Sequence, residues 1–155
     1  MNSAASWAPG VPARSTPDGS GPPTRVAVVG TGAWWGLQHA NVFATRPDTK
    51  LVAIVGRDPR RTAARAAVYG ARPYVDIEEM LDRERPDLVS VCLPNEGHFE
   101  PTLQVIRAGF PLVVEKPLVF APDEGAVLLA EAQARNLFFA INFNHRYARP
   151  VRMAR

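Results

Sequence analysis

The sequence predicts an α/β domain with a doubly wound parallel sheet of about six strands and helices on both faces. Short runs of Val, Ile and Leu alternate along the chain with longer amphipathic segments, which is the pattern of βαβ units. The apolar runs are continuous, as in parallel strands buried on both faces, and a glycine-rich turn follows the first of them. Right-handed crossovers would wind the helices onto both faces, which is the arrangement of the Rossmann fold.

The individual elements are predicted in order from Arg25. Pro59 and Pro122 occupy helix starts, where the missing N–H of proline is tolerated, and Gly70 and Gly109 stand just past helix ends. The predicted strands are residues 25–29, 51–55, 72–75, 88–93, 111–114 and 138–142, and the predicted helices are residues 33–45, 58–70, 76–83, 97–108 and 122–135.

Length and composition favour one ordinary domain in the cytoplasm. The chain has 155 residues, of which 46% are hydrophobic and 21% charged, and its apolar runs are too short for a membrane-spanning helix. Residues 1–24 are rich in Pro, Gly, Ser and Ala without a periodic pattern, which predicts a disordered tail and no signal peptide. The single cysteine, Cys92, lies in an apolar run and fits a small core residue in a reducing compartment.

The charge pattern indicates no nucleic-acid partner, because the net charge of +3 is small and the arginines are spread along the chain. Lysine occurs only at Lys50 and Lys116. Glu115 and Lys116 together interrupt the apolar run of residues 111–120. Because burying a charge is costly unless it is paired or used, this interruption either ends a strand or marks a site.

The turn from Gly30 to Gly36 reads GTGAWWG and predicts a dinucleotide-binding loop, because it directly follows a strand and opens a helix. Gly30 permits the sharp turn, and Gly32 lets the backbone approach a pyrophosphate. The free N–H groups of the helix start offer donors to the anion. The predicted cofactor-binding residues of this loop are Gly30, Thr31, Gly32, Ala33, Trp34, Trp35 and Gly36.

Trp35 occupies the position of the usual third glycine, three residues after Gly32. In the interpretation that we favour, the loop has a one-residue insertion and Gly36 takes the helix-packing role. In the other interpretation, the helix start is shifted and the tryptophan covers the pyrophosphate.

The choice between NAD and NADP depends on the end of the second strand, where an acid bonds the ribose hydroxyls and an arginine suits a 2′-phosphate. Gly56 and Arg57 occupy this place, and Asp58 fits a helix N-cap better than a ribose ligand. With Arg60 and Arg61 nearby, the stretch favours NADP, although the arginines also fit a solvated helix face.

With these motifs, the chain resembles the N-terminal domain of the Gfo/Idh/MocA oxidoreductases. The resemblance rests on the glycine loop followed by His39, on LPNEGH from Leu93 to His98, on EKP from Glu115 to Pro117 and on NFNHRY from Asn142 to Tyr147. It makes residues 25–147 an NAD(P)-binding domain and implies hydride transfer to or from a sugar, a polyol or a related alcohol or carbonyl. It is also compatible with a homo-oligomer of the full-length form.

The resemblance also implies a site. Ligands of a doubly wound sheet bind beyond the carboxyl ends of the strands, so we expect the motif side chains to face one crevice. The catalytic residue implied is Lys116, whose ammonium would stabilise charge on a substrate oxygen as hydride moves. His98 also fits a capping residue of the next helix, Arg146 is a candidate substrate contact, and no metal is expected. The further predicted cofactor-binding residues are Arg57, Pro94, Asn95, His98, Glu115, Lys116 and Asn142.

Members of this family carry a substrate domain after the dinucleotide-binding domain, and residues 148–155 are predicted to be only its start. We therefore expect the chain alone to bind cofactor without turnover, because most of the pocket that positions substrate would lie outside it. The alternative function is a non-catalytic NAD(P)-binding sensor or regulatory module.

Overall fold

Six strands form one parallel sheet in the computed structural model, which describes residues 21–153. The strands are β1 (Thr24–Val29), β2 (Thr49–Val55), β3 (Arg72–Tyr74), β4 (Leu88–Val91), β5 (Leu112–Glu115) and β6 (Phe139–Asn142). Their order across the sheet is β3-β2-β1-β4-β5-β6, and every neighbouring pair is parallel. This is the strand order of a doubly wound Rossmann sheet, and the predicted fold class is confirmed.

Each crossover between consecutive strands carries a helix, as predicted. The helices are α1 (Trp35–Thr45), α2 (Pro59–Tyr69), α3 (Ile77–Glu84), α4 (Phe99–Arg107), α5 (Pro122–Ala134) and α6 (Arg149–Met153). The sequence did not predict α6 or the two 3₁₀ turns, Asn95–Gly97 and Asn144–Tyr147. The predicted disordered tail falls almost entirely in residues 1–20, which lie outside the described residues, and Thr24 of that tail already belongs to β1.

The helix boundary signals of the sequence are confirmed. Asp58 caps α2, because its carboxylate accepts the backbone N–H of Arg61 at 2.9 Å. Pro59 and Pro122 lie in the first turns of α2 and α5. Gly70 follows α2 with a φ of +63°, a left-handed conformation that glycine adopts without strain.

Helices cover the sheet on both faces and bury two apolar clusters. On one face, Ala40 of α1 and Ala66 of α2 pack against Val28 and Ile54. On the other face, apolar side chains of α3, α4 and α5 pack against β1, β2, β4 and β5. This larger cluster includes Met80, Leu81, Leu103, Ile106, Leu128, Val89, Val91, Leu112 and Val114. The alternation of a strand's side chains between faces explains why both clusters draw on the same strands.

A buried carboxylate of α3 joins this helix to β1 and β3. Glu84 accepts a hydrogen bond of 2.6 Å from the hydroxyl of Tyr74 on β3, and its two oxygens lie 3.2 Å from the guanidinium groups of Arg72 and Arg25. The carboxylate is therefore paired and hydrogen-bonded, which is the condition under which burying a charge is tolerated. This cluster involves none of the predicted site residues.

None of the helices in residues 21–153 combines the length and the apolar character needed to cross a bilayer. The same residues contain no group of three or more His, Cys, Asp or Glu side chains arranged to hold a metal ion.

Candidate functional site

The chain reverses its winding between β1 and β4, and the glycine turn lies at this switch point. Gly30 has a φ of +133°, and its N–H donates to the carbonyl of Val55 at 2.8 Å. A Cβ atom at Gly30 would lie 2.2 Å from the carbonyl oxygen of Cys92, so no other residue fits between the ends of β2 and β4. In such sheets the crevice at the switch point is the ligand site.

Gly36 is closely packed, whereas the space around Gly32 is open. A Cβ atom at Gly36 would lie 2.6 Å from the carbonyl oxygen of Gly30, so glycine is required for the start of α1 to pack on the end of β1. This is the packing role that the insertion interpretation assigns to Gly36. A Cβ atom at Gly32 would meet no atom within 4 Å, and Gly32 is exposed. The backbone at Gly32 is therefore open to a ligand.

The start of α1 is well placed for an anion. Within residues 21–153, its N-cap residue Trp34 makes no side-chain capping bond. The N–H of Leu37 donates to the carbonyl of Gly32 at 3.2 Å, and no side-chain cap satisfies the other N–H groups of the first turn. Trp34 is exposed and Trp35 half-buried, with the edge of the Trp35 ring against His39 at a centroid distance of 6.4 Å. Ala33 is exposed beside them, whereas Thr31 is buried. The cofactor contacts of these residues stay predictions.

The end of β2 carries no carboxylate toward the crevice, because Asp58 is engaged as the cap of α2. Arg57, Arg60 and Arg61 are all exposed. Exposure suits a phosphate ligand and a solvated helix face equally, so both interpretations of these arginines stay open.

Lys116 directly follows the last residue of β5 and is half-buried. Its peptide bond to Pro117 is cis. No residue within 21–153 forms an ion pair or a hydrogen bond with its ammonium. An unpaired ammonium at the carboxyl edge of the sheet is available to polarise a ligand oxygen.

The sequence predicts that the side chain of Glu115 faces the crevice. In the structure, this side chain points into the protein interior. It is 2% exposed, and its Oε1 lies 2.8 Å from Nε2 of His39. Asn142, at the end of β6, donates to the same oxygen at 2.5 Å. The Nδ1 atom of His39 lies 2.8 Å from the hydroxyl of Ser90 on β4. These four side chains, which we name the His39 network, join α1 to the ends of β5 and β6.

Ser90 was missed by sequence reasoning, although a serine within the apolar run LVSVCL was a usable signal. A fully buried hydroxyl needs a hydrogen-bonding partner, and in this fold the partner is a histidine from another element.

His98 is almost fully buried and does not cap α4, although it occupies the N-cap position. Its Nδ1 lies 2.6 Å from the carbonyl oxygen of Pro117, and its Nε2 lies 2.8 Å from the carbonyl oxygen of Leu93. The ring therefore joins the segment after β4 to the segment that carries Lys116. The capping interpretation of His98 is therefore wrong, and its contact with a cofactor stays a prediction.

The other predicted residues are less constrained. Pro94 is exposed, and Asn95 begins the 3₁₀ turn after β4. Arg146 and His145 are both exposed in the 3₁₀ turn after β6, and the Arg146 guanidinium lies 5.8 Å from the centroid of the Tyr147 ring. The structure thus fixes no contact between Arg146 and the crevice.

The described residues line at least two surface grooves. One of about 510 Å³ runs beside α1, and its lining includes Trp34, Trp35, Phe43, Val113 and Asn142. The other, of about 620 Å³, lies between α3 and α4 and contains no residue of the glycine turn, β5 or β6. The first groove adjoins the predicted site and the second does not.

The thiol of Cys92 lies just beyond β4 and is 3.4 Å from the hydroxyl of Ser90. Burial raises the pKa of this thiol to about 12. A thiol that stays protonated is a poor nucleophile, so Cys92 fits the predicted role of a core residue.

We expect the Cys92 thiol to react with a soluble disulfide reagent on the order of 100-fold more slowly in the folded chain than in urea at pH 8. Because its pKa is 9.0 when exposed and about 12 in the fold, protonation of this thiol stabilises the fold fully below pH 9. That contribution is lost as the pH rises from 9 toward 12. Thiol labelling followed by absorbance would check the predicted difference in reaction rate, with Cys92→Ser as the blank. Equal rates in the folded chain and in urea would contradict the prediction.

A Rossmann sheet carries a glycine turn and an open helix start at its switch point, and Lys116, which has no partner among residues 21–153, follows the second strand along from that turn. This combination is typical of the nucleotide-binding domain of an oxidoreductase. Residues 24–143 match the family described as an oxidoreductase family with an NAD-binding Rossmann fold, Gfo/Idh/MocA. The chain belongs to this family of NAD(P)-dependent oxidoreductases, and these residues are its NAD-binding Rossmann domain. The predicted resemblance is confirmed.

Two curated relatives show how much of such a protein the chain spans. It is 36% identical over 127 residues to D-glucoside 3-dehydrogenase of Escherichia coli (strain K12), covering 81% of this chain and 36% of that protein. It is 29% identical over 123 residues to inositol 2-dehydrogenase of Rubrobacter xylanophilus, covering 79% and 35%. The chain therefore spans little more than a third of the length of these relatives.

The chain also matches only part of the solved structures to which it is similar. GenD2 from gentamicin A biosynthesis, in complex with NAD, is 35% identical with a TM-score of 0.77, over 82% of this chain and 36% of that one. Biliverdin reductase from Synechocystis sp. PCC 6803, in complex with biliverdin and NADP+, is 26% identical with a TM-score of 0.73, over 81% and 39%. Similar structures thus hold either cofactor.

Proposed function

We propose that this chain binds a nicotinamide dinucleotide across the glycine turn and presents Lys116 to the substrate, as the cofactor half of an oxidoreductase that acts on a sugar, a polyol or a related alcohol or carbonyl. The observation that carries the proposal is the combination of an open backbone at Gly32 with the ammonium of Lys116 at the end of β5, which has no partner among residues 21–153. The substrate class is supported by the names of the relatives, which include dehydrogenases of a glucoside and of inositol.

The geometry at the sheet edge suits a dinucleotide. The glycine turn follows β1, Lys116 follows β5, and only β4 lies between those strands. Neighbouring strands are about 4.8 Å apart, so the two features are separated by about 10 Å along the edge. A pyrophosphate at the start of α1 therefore leaves the nicotinamide end of the same molecule within reach of Lys116.

In this proposal, different residues of the chain have different roles in binding and catalysis. The bound nicotinamide would accept or supply the hydride. The backbone at Gly32 and the N–H groups of α1 hold the pyrophosphate, which is anionic. Lys116 holds its ammonium against the substrate oxygen and stabilises the charge that develops there as hydride moves. A second domain, of which residues 148–155 would be the start, supplies most of the substrate pocket.

We further propose that the chain prefers NADP to NAD. No carboxylate of the β2 end faces the crevice, and the exposed Arg57 closely follows that strand end, where an arginine suits a 2′-phosphate. The similar structures do not decide this point, because one holds NAD and another NADP+.

Replacing Gly32 by aspartate is expected to weaken binding of NADPH and NADH on the order of 100-fold, because it places a carboxylate where the phosphates lie. The variant should fold, since a Cβ atom at Gly32 meets nothing within 4 Å. Titration by cofactor fluorescence measures the effect. Ala130→Asp on the exposed side of α5 makes the same charge change away from the turn and should bind normally. Unchanged affinity in folded Gly32→Asp would refute the proposed function.

The parent chain is expected to bind NADPH more tightly than NADH, and Arg57→Ala should reduce that preference by about tenfold, because a charge-assisted bond to the 2′-phosphate is lost. Binding isotherms of both cofactors for both proteins give the ratio. Arg83→Ala on α3 removes an arginine of similar exposure and should leave the ratio unchanged. Equal affinities of the parent chain for NADPH and NADH would rule out the preference and leave the fold untouched.

A further inference from the structure

The position that decides cofactor choice is closed in this chain by two threonines. Gly56 directly follows β2, and its N–H continues the ladder to the carbonyl of Tyr74 at 3.0 Å. A Cβ atom at Gly56 would lie 2.5 Å from Cγ2 and 2.8 Å from Oγ1 of Thr31, and 2.6 Å from Oγ1 of Thr62. Carbon atoms in contact are normally about 3.5–4.0 Å apart, so any side chain at position 56 requires its neighbours to move.

Neither threonine can move without cost. Thr62 is fully buried, and its single hydroxyl hydrogen is shared between the carbonyl oxygens of Asp58 at 2.7 Å and Gly56 at 3.1 Å, which fixes the side chain to the first turn of α2. Thr31 is 6% exposed and follows Gly30, whose backbone is held against Cys92. Both side chains are β-branched and have few rotamers. We name Thr31 and Thr62 the threonine wall.

We propose that the threonine wall determines cofactor specificity, because it closes the position from which a carboxylate would reach the ribose hydroxyls. This inference rests on the proposed function, and it assigns roles to Thr31 and Thr62 that go beyond it. The absence of an acid at position 56 is then a consequence of packing, and recognition of the ribose end passes to Arg57.

The threonine wall also connects the end of β2 to the glycine turn. Thr31 belongs to the glycine turn, so a side chain at position 56 pushes on the same backbone that receives the pyrophosphate. An acid at position 56 should therefore damage pyrophosphate binding instead of merely exchanging one cofactor for the other.

The binding test compares Gly56→Asp in the parent chain with Gly56→Asp in a Thr31→Ala/Thr62→Ala background, which removes all three close atoms. In the parent chain, Gly56→Asp should weaken NADPH and NADH by similar factors. We call the Thr31→Ala/Thr62→Ala protein the opened background. Adding Gly56→Asp to it should shift the ratio of NADPH to NADH affinity about tenfold toward NADH, compared with the opened background itself. A selective gain of NADH binding by Gly56→Asp in the parent chain, or no shift in either background, overturns the inference.

A second measurement tests the wall without cofactor. Gly56→Ala should lower the melting temperature of the parent chain by about 5 °C or more, and clearly less in the opened background. Equal losses in both backgrounds would show that no wall exists. If the parent chain binds neither NADPH nor NADH, the proposed function and the specificity role both fail, and the melting data still report whether Thr31 and Thr62 close position 56.

Discussion

Replacing His39 by leucine is expected to destabilise the domain by about 3–5 kcal/mol, because it leaves the buried carboxylate of Glu115 without its principal partner. Glu115 is 2% exposed and His39 13% exposed, so water cannot readily replace the lost contact. Ser90 loses its contact with His39 at the same time and keeps only the longer one, of 3.4 Å, with the Cys92 thiol. Asn142 remains bound to the carboxylate, but its amide is neutral and compensates only in part.

A double variant separates a buried pair from ordinary packing. His39→Leu/Glu115→Leu removes both polar groups, and replacing a buried pair by apolar side chains is often nearly neutral. The double variant should therefore be more stable than His39→Leu alone, and the cycle should show a coupling of about 2 kcal/mol or more. Urea denaturation of the four proteins gives these values. Additive losses would mean that His39 and Glu115 contribute independently.

The His39 network has a structural consequence for the proposed site. His39 lies one turn beyond Gly36 on α1, and Glu115 directly precedes Lys116. The contact between the two side chains therefore connects the helix that would receive the pyrophosphate to the strand end that carries the ammonium. On the other side of Lys116, His98 holds the carbonyl of Pro117. Lys116 is thus fixed through both of its chain neighbours while its own side chain has no partner within the described residues.

The strands were predictable because they are continuous apolar runs, and the errors lie at their ends. β2 begins at Thr49, two residues earlier than predicted, since the polar Thr49 and Lys50 also join the ladder with β1. β4 stops at Val91 although the apolar run continues to Leu93. Composition alone does not mark such ends, because the last ladder bond depends on where the neighbouring strand stops.

The candidate site was predictable only as far as positions along the chain. The turn role of Gly30 could be predicted, and the packing role of Gly36 followed from the favoured of two interpretations, because a glycine requirement depends on local backbone geometry. The directions of Glu115, Asn142 and His98 could not be predicted, since each depends on a partner more than 15 residues away. The crowding of Gly56 likewise comes in part from Thr31, which follows the end of a different strand.

In a protein that joins this domain to a second, substrate-binding domain, Lys116→Ala is expected to lower kcat/KM by about 10²–10⁴-fold while cofactor binding is largely kept. The ammonium would contribute mainly in the transition state, where charge develops on the substrate oxygen, whereas the cofactor is held by the glycine turn. Steady-state rates and separate cofactor titrations measure the two effects.

Lys50 provides the matched control, since it is the only other lysine, is exposed at the start of β2 and lies far along the chain from the EKP motif. Lys50→Ala should therefore leave both rate and binding unchanged. Lys116→Arg keeps the positive charge but replaces a compact ammonium by a planar guanidinium, so it should recover only part of the activity. A Lys116→Ala enzyme with nearly full kcat/KM would remove Lys116 from the mechanism. A parallel loss of cofactor affinity would instead assign it to binding, because a group that acts in the transition state changes the rate and not the ground-state complex.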